Sequence, residues 1–550
     1  MIDAFIVGAG PSGLFMAAEL IRQGLTCRLI DKSPTPSFHS KAIAIQARTL
    51  EILMCLGLAD TCLAQGLKIE KFAPYSQQKA LANITLDLIA SPFKFVLSLE
   101  QNKFEKILIK HLEERSCLVE RQIELLACTQ DEQKITVTTR NNVTGEIDYS
   151  QARWLIGCDG AHSIVRKQTN QTFEGLSFPQ IFSLADIELE WKYARNSVFA
   201  FLNRSGLLAA IPLPENKRVR LIFQTQEVLD LLKENKQNLP HGEISANLLA
   251  APTLEKVAQI IHQYADSQAV VKKAIWMTNF NINSRMVSHY QQKRFFLVGD
   301  AAHIHSPVGG QGMNTGLQDA FNLGWKLALV SKGQAKDYLL ESYHEERHWV
   351  GKNLLHGTEK ATNFALTRSP FLFYLRNGLI AFFGAFTVFK KIIVNTLSQI
   401  NIAYPQSRWI KQKKSRALKL KAGMRAPNAY LCYKGDKTSI FNIWKESICF
   451  ILLVVKNALK ISEREIAEFL NFKNKYDGIV NLFIMRPQEF QKINLPAETF
   501  FDDTQNQIKE FYGNGTVYLI RPDGYIGYCG PYDTIADLEP IKDYFNTLNT

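Results

Sequence analysis

The 550-residue chain is 46% hydrophobic and 21% charged, which excludes a disordered or fibrous protein and suits several cores, at a usual size of about 100–200 residues per domain. Its net charge of +12 does not describe a nucleic-acid-binding face, because eight positive residues between Arg408 and Arg425, with no acid among them, supply most of the excess. The nine cysteines are odd in number and include no C-x-x-C pair, which excludes a disulfide framework and points to a reducing compartment.

An apolar strand beginning at residue 2 or 3 leaves no room for a signal or transit peptide, so a cytoplasmic location is expected. That strand runs into the turn Gly8-Ala-Gly10-Pro11-Ser12-Gly13. Gly8 allows the tight turn, Gly10 lets the backbone approach a diphosphate, and Gly13 lets the following helix close on the strand with its amides facing the anion. Pro11 suits the first helical turn, the periodicity predicts a helix over 12–22, and Gly24 stops it. The next apolar run, Cys27 to Ile30, ends in Asp31, placed to meet a ribose hydroxyl.

The design recurs twice. The run Trp154-Leu-Ile-Gly-Cys delivers Asp159-Gly160 to a turn before a short helix, and Phe295-Phe-Leu-Val-Gly delivers Asp300. Ligands of open α/β sheets bind at such strand ends. A glycine-rich loop follows, Ser306-Pro307-Val-Gly309-Gly310-Gln-Gly312-Met313-Asn314, and then a helix over 315–331. His303 and His305 invite a metal reading, but no cysteine or carboxylate cluster completes a site, so His303 reads as structural and no metal is expected.

Between the second and third segments the pattern turns to strands. Val219, Leu221 and Phe223 alternate with Arg220, Ile222 and Gln224, and 198–202 is rich in strand formers. The expected domains are therefore a cofactor domain of 1–170 and 275–365, and a β-rich substrate domain of 171–274 with part of 76–97. A helical and basic linker of 366–420 and a separate α/β unit of 421–550 complete the chain. Within the linker, residues 377–389 are uncharged and mostly apolar, shorter than the roughly 18 residues of a membrane span; a buried or partner-facing helix is expected. The basic stripe reads as a solvated linker, with a peripheral membrane or anion contact as the alternative. In the last unit a strand over 449–455, a helix over 462–470 and a hairpin over 516–528 turning at Pro522-Asp-Gly are expected.

These segments resemble the fingerprints of the single-component FAD-dependent aromatic hydroxylases, the group A flavoprotein monooxygenases, in their phenol and polyketide hydroxylase branch. The stretches Ser40-Lys-Ala-Ile-Ala-Ile-Gln-Ala-Arg48-Thr-Leu-Glu and Gln101-Asn-Lys-Phe-Glu are similar to that branch, and the tail resembles its thioredoxin-like domain without the redox cysteine pair. The resemblance implies an α/β fold: a Rossmann-like FAD-binding domain, an inserted β-rich substrate domain and a thioredoxin-like C-terminal domain serving as interface or lid. It implies that Gly8, Gly10, Pro11, Ser12, Gly13, Asp31 and Lys32 hold the ADP half of FAD, with Lys41, Arg48 and Gln101 along its length. Asp159 and Gly160 would lie between FAD and a passing NADPH or NADH, and Asp300 would bind the ribityl chain. Pro307, Gly309, Gly310, Gly312, Met313 and Asn314 would lie against the isoalloxazine.

The implied reaction is insertion of one atom of O2 into an aromatic or polycyclic phenolic small molecule through a flavin hydroperoxide, with Arg285 orienting a substrate oxygen and Pro307 at the reacting ring. Epoxidation, oxygen insertion beside a ketone, dehydrogenation or non-catalytic flavin binding are the alternatives, and a homodimer is possible within the family. The sequence departs from the pattern where it matters for chemistry: phenol-hydroxylating relatives carry an aspartate where Ile43 stands and an arginine where Lys41 stands. The usual carboxylate base for a phenol is therefore absent.

Overall fold

The computed structural model describes residues 1–38, 40–225, 250–305, 309–367, 369–446, 449–455, 462–485 and 500–549. Pro307 lies outside the described residues. The remainder is mixed α/β, as the fingerprints imply.

The cofactor sheet is built on the N-terminal strand Ile2–Val7, which pairs in parallel with Cys27–Asp31 on one side and with Ile147–Gly157 on the other. Phe295–Leu297 extends the parallel set beyond Ile147–Gly157, and Val119–Arg121 extends it beyond Cys27–Asp31. Parallel strands share one direction, so Gly8, Asp31, Asp159 and Asp300 all emerge at the same edge of the sheet. The central strands are continuous apolar runs because both faces are covered: Ala4, Phe5, Ile6, Leu155 and Ile156 are fully buried. Helix Pro11–Arg22 packs on one face and crosses helix Gly312–Ser331, which is buried over nearly its whole length. The buried side chains of Gly312–Ser331 are not all apolar: Asn314, Gln318, Asp319, Asn322 and Lys326 lie among them.

A second, nine-stranded sheet carries the long antiparallel pair Phe173–Glu190 and Val270–Val287 near one edge and reaches back to Lys71–Ser76 at its far side. Helix Leu254–Tyr264 covers one face, packing Val257, Ile260 and Ile261 against Phe199, Phe201, Leu221 and Phe223. Strand alternation therefore sends Arg220, Ile222 and Gln224 to the opposite face.

The C-terminal unit is an eight-stranded mixed sheet with Phe450–Val455 and Thr516–Ile520 at its centre, flanked by helices including Glu463–Lys475 and Glu539–Asn549. Lys411–Gln412 adds an edge strand to it beside Ile526–Pro531, so the basic stretch is not a free tether. Arg408 reaches Glu341 and Glu345, Lys413 reaches Asp537, and Arg425 is buried against Glu51. The apolar stretch 377–389 does not meet the first of its two expectations, burial. It breaks at Gly384 into helices Pro370–Phe383 and Thr387–Leu397, bent by 104°, and most of its large side chains are exposed rather than buried.

Candidate cofactor and substrate site

The N-terminal turn is built by close approach. Gly8 adopts φ +99°, and a Cβ placed on it would lie 2.5 Å from the Cys158 carbonyl oxygen; one on Gly13 would lie 1.8 Å from the Gly8 oxygen. No side chain fits at either position. Gly10 is different, since a Cβ built there meets nothing within 4 Å. The second glycine borders open space, and the first helical amides of Pro11–Arg22 point the same way. Ser12 packs its hydroxyl against Gly299 and Gly316, where a Cβ would come within 2.5 Å. Those two glycines were not singled out by sequence reasoning, although Gly299 directly precedes Asp300.

Asp31 closes the turn. Its Oδ2 accepts the Ala9 N–H at 2.7 Å and its Oδ1 that of Ser33 at 2.8 Å, with the Arg121 guanidinium 3.8 Å away. Lys32 beside it is exposed. Asp159 caps the short helix Ile164–Gln168, accepting from the Ser163 hydroxyl at 2.5 Å and from the Ile164 and Val165 amides; desolvation nevertheless raises its carboxyl above the ordinary range. Gly160 follows at φ +74°. Asp300 is exposed at the third strand end, yet desolvation by the surrounding protein raises its pKa against the opposing pull of His303 and Lys41. Lys41 and Asp300 are close enough to interact electrostatically. Gln101 spans the same region: its Nε2 donates to Glu105 at 2.8 Å, and its Oε1 accepts the Ala42 amide.

Arg48 is not part of this cleft. Its guanidinium is buried, donating to Glu51 at 3.0 Å and to the Asp523 carbonyl at 2.7 Å, and lying over the Tyr525 ring. The physical reason is competition: a carboxylate one helical turn away and a carbonyl of the C-terminal unit together satisfy the charge. No local pattern announces a partner 475 residues distant.

The glycine loop is held by Asn314, which is fully buried at the start of helix Gly312–Ser331. Its Nδ2 donates to the Ala44 and Gly310 carbonyls at 2.8 Å and its Oδ1 accepts the Gln46 amide at 2.9 Å. Gly309 and Gly310, at φ +84° and +61°, thus lie against the Ala44–Gln46 strand segment, with Met313 half-buried beside them. Gln46 donates to the Gly309 carbonyl, yet its own Oε1 is buried with no partner. An orphaned acceptor beside a glycine loop, together with the open space at Gly10, fits a long dinucleotide carrying a ring N–H at its far end. Behind the loop, His303 Nε2 meets Asp319 Oδ2 at 2.7 Å and Arg347 Nε donates to Asp319 Oδ1 at 2.6 Å, all buried. Burial would raise the Asp319 carboxyl, but Arg347 and His303 outweigh it and hold the pKa low. Among the described residues no group of three or more His, Cys, Asp or Glu side chains could hold a metal ion.

On the face of the nine-stranded sheet away from helix Leu254–Tyr264, Phe182, Leu202 and Leu207 form an apolar wall with Ile222, Phe280 and Ile380 packed on it. Two polar features interrupt it, and sequence reasoning found neither. Arg220 forms a buried two-point ion pair with Asp186 across the strands, at 2.7 Å for both contacts. Gln224 is 0% exposed, and among the described residues neither end of its amide has a partner. Their even-numbered alternation with Val219, Leu221 and Phe223 was the available signal. Arg285 sits half-buried on Val270–Val287, opposite Ile304, next to the glycine loop's entry. Ile43 is buried in the place of the expected carboxylate.

Residues 1–358 match the family described as FAD binding domain. The chain is similar to pentachlorophenol 4-monooxygenase of Sphingobium chlorophenolicum, 29% identical over 529 residues that cover 95% of this chain and 92% of the relative. It is 30% identical over 459 residues, 82% of this chain and 85% of the relative, to the uncharacterized aromatic compound monooxygenase YhjG of Bacillus subtilis. In fold it is similar to aklavinone-11 hydroxylase solved with FAD and aklavinone, with a TM-score of 0.78 at 18% identity, covering 100% of this chain and 99% of that one.

Proposed function

This chain belongs to the FAD binding domain family and is an FAD-dependent monooxygenase, and from that premise we propose that it hydroxylates an aromatic or polycyclic phenolic small molecule with O2 and NADPH or NADH as co-substrates. The observation that carries this reading is the meeting of two surfaces: a cleft fitted to a flavin dinucleotide, and an apolar sheet face with one unpaired amide, Gln224. Bound FAD supplies the redox chemistry, taking a hydride and passing one oxygen atom of O2 to carbon.

In this reading Gly8, Gly10 and Gly13 admit the diphosphate to the helix amides, and Asp31 receives the adenosine ribose. Asp300 and Lys41 hold the polyol, and the Gly309–Gly310 loop with the Gln46 acceptor receives the ring. Asn314 is a positioning residue, since it touches only the loop and the strand that carry those contacts. The apolar wall excludes water and takes a flat substrate. Gln224 donates to and accepts from a substrate hydroxyl or carbonyl, but it cannot take a proton. With Ile43 in the place of a carboxylate, the substrate is one whose ring is electron-rich as the neutral phenol. The second residue suited to orient a substrate oxygen is Arg285, by its position beside the loop.

The test is consumption of NADPH and of NADH by the FAD-loaded protein across phenols, salicylates and polycyclic quinones, with product mass and peroxide measured together. Gain of one oxygen by a phenolic substrate supports the reading. Peroxide equal to cofactor consumed for every compound overturns it in favour of an oxidase.

A further inference from the structure

Helices usually turn their apolar stripe inward. Helix Pro370–Phe383 buries Phe373 but also turns a large apolar surface outward. Its inward positions include Arg376, buried and donating to the Ala365 carbonyl at 2.7 Å, and Asn377, donating to the Ser76 hydroxyl at 2.9 Å. Its outward positions include Phe371, Leu375, Leu379 and Phe382, and the second helix continues the surface with Val388 and Ile392. Phe371 and Val388 are 74% and 72% exposed. About half of all exposed large hydrophobic side chains among the described residues fall between 364 and 392, so apolar exposure is concentrated in this segment and not scattered singly over the surface.

The charge on and beside the patch is mostly positive. From Glu359 to Asp436 the sequence contains no acid between those two residues and fourteen Lys or Arg, of which Arg376 and Arg425 are buried and Arg408 and Lys413 are paired with Glu341, Glu345 and Asp537. Lys390 and Lys391 lie within the second helix itself, and residues 71–88, on which the pair packs, add Lys71 and Lys79 against the one acid Asp87. The helices hold 14 and 11 residues and are bent by 104°, and among the described residues no single helix is long and apolar enough to cross a membrane. Aromatic and aliphatic side chains facing out, cations at the margin and no acid are the features of a helix pair lying in the plane of a bilayer interface.

We propose that the bent pair Pro370–Phe383 and Thr387–Leu397 docks this protein on an anionic phospholipid surface. The pair is also a lid: Ile380 packs with Phe182, Leu202 and Leu207 on the apolar wall of the second sheet. Docking sets that wall's cover against the bilayer, so that a lipid-dissolved aromatic compound enters from the membrane side. This last consequence rests on the hydroxylase reading; the docking itself does not.

Flotation of the FAD-loaded full-length protein with vesicles tests it. The protein is expected to float with phosphatidylglycerol-containing vesicles, weakly with pure phosphatidylcholine, and less at high salt. Phe382→Asp with Val388→Asp should abolish flotation, and Lys390→Glu with Lys391→Glu should reduce binding to anionic vesicles by on the order of tenfold or more, with flavin absorbance and melting temperature unchanged in both. Failure of the parent protein to float on any vesicle overturns the proposal, as does equal flotation of the aspartate variant. A parent that stays dimeric by light scattering and becomes monomeric in the aspartate variant overturns it in favour of a second copy on this face. Flotation is read without turnover, so it stands or falls separately from the hydroxylation assay.

Discussion

The C-terminal unit is joined to the cofactor domain through a buried ionic cluster, and Glu346→Gln tests what holds the two together. Glu346 Oε1 accepts from Arg521 at 2.6 Å and from the Ser407 hydroxyl at 2.7 Å; its Oε2 accepts from Arg521 at 2.8 Å, Lys326 at 2.9 Å and Asn322 at 2.7 Å. Every member is fully buried. Removing one charge of such a cluster costs about 3–5 kcal/mol, because the opposite charges stay desolvated. Here the cost falls toward the lower end. Burial already pushes the Lys326 ammonium down to about 8 with Glu346 beside it, so losing that carboxylate leaves Lys326 neutral at pH 7, while Arg521 keeps Asp523. We expect a loss of about 3 kcal/mol, seen as a fall in melting temperature on the order of 5 °C or more. Fluorescence reads it directly, since Trp325 lies under the Arg521 guanidinium at 5.1 Å. Lys326→Met in the same background should return part of the loss, because it removes the stranded amine. A melting temperature within about 1 °C of the parent for Glu346→Gln, with intact Trp325 fluorescence, would refute the reasoning.

Three further outcomes follow from named contacts. Gly13→Ala drives a methyl to the Gly8 carbonyl and should yield protein that neither retains FAD nor recovers it on soaking, read by absorbance. Gln224→Leu replaces a buried amide with no partner, so the ligand-free protein should gain about 1–2 kcal/mol while the apparent affinity for an active phenol falls roughly 10- to 100-fold; loss of stability in denaturant melts would contradict it. His344 is pushed down to about 4 by burial and by the neighbouring His348 and His289, and its Nδ1 accepts the Tyr290 amide as a neutral ring must. The unfolded chain binds that proton below an ordinary value of about 6.5, so stability is complete above pH 6.5 and is lost as pH falls toward 4, by about 2–3 kcal/mol for this partly buried ring. His344→Asn should flatten the pH dependence of the melting temperature in that window.

The parts legible in the sequence are those with a local physical cause. Gly8, Gly13 and Asp31 answer to backbone geometry within one turn, and the apolar runs ending at Asp159 and Asp300 announce strands whose ends must share an edge. The strand at Arg218–Thr225 was equally legible, because period-two alternation is local. Which face of that strand would meet helix Leu254–Tyr264 was not, and so Gln224 and the Arg220–Asp186 pair went unread. Arg48 shows the same limit for charge: its residue type fits a phosphate, but its partners were decided by a unit folded hundreds of residues away. The apolar stretch 377–389 was recognised by composition, whereas its orientation depended on Arg376 finding the Ala365 carbonyl and turning the apolar side out.

One helix connects these observations. Gly312–Ser331 starts at the glycine loop and carries a polar anchor on nearly every turn of its buried length. Asn314 pins the loop, Asp319 takes His303 and Arg347, and Asn322 and Lys326 meet Glu346 of the junction with the C-terminal unit. Buried polar groups cost free energy unless fully paired, so four such anchors on one helix are retained for position rather than for stability. A rigid helix shifts as a body, and displacement at Lys326 by loss of the junction is felt at Asn314, 12 residues and about 18 Å away along the axis. The C-terminal unit is thereby linked through this helix to the seat of the Gly309–Gly310 loop. The Glu346→Gln protein should accordingly hold FAD less tightly although the substitution touches no residue of the cleft, and unchanged flavin affinity in a protein with a lowered melting temperature would separate the junction from the loop.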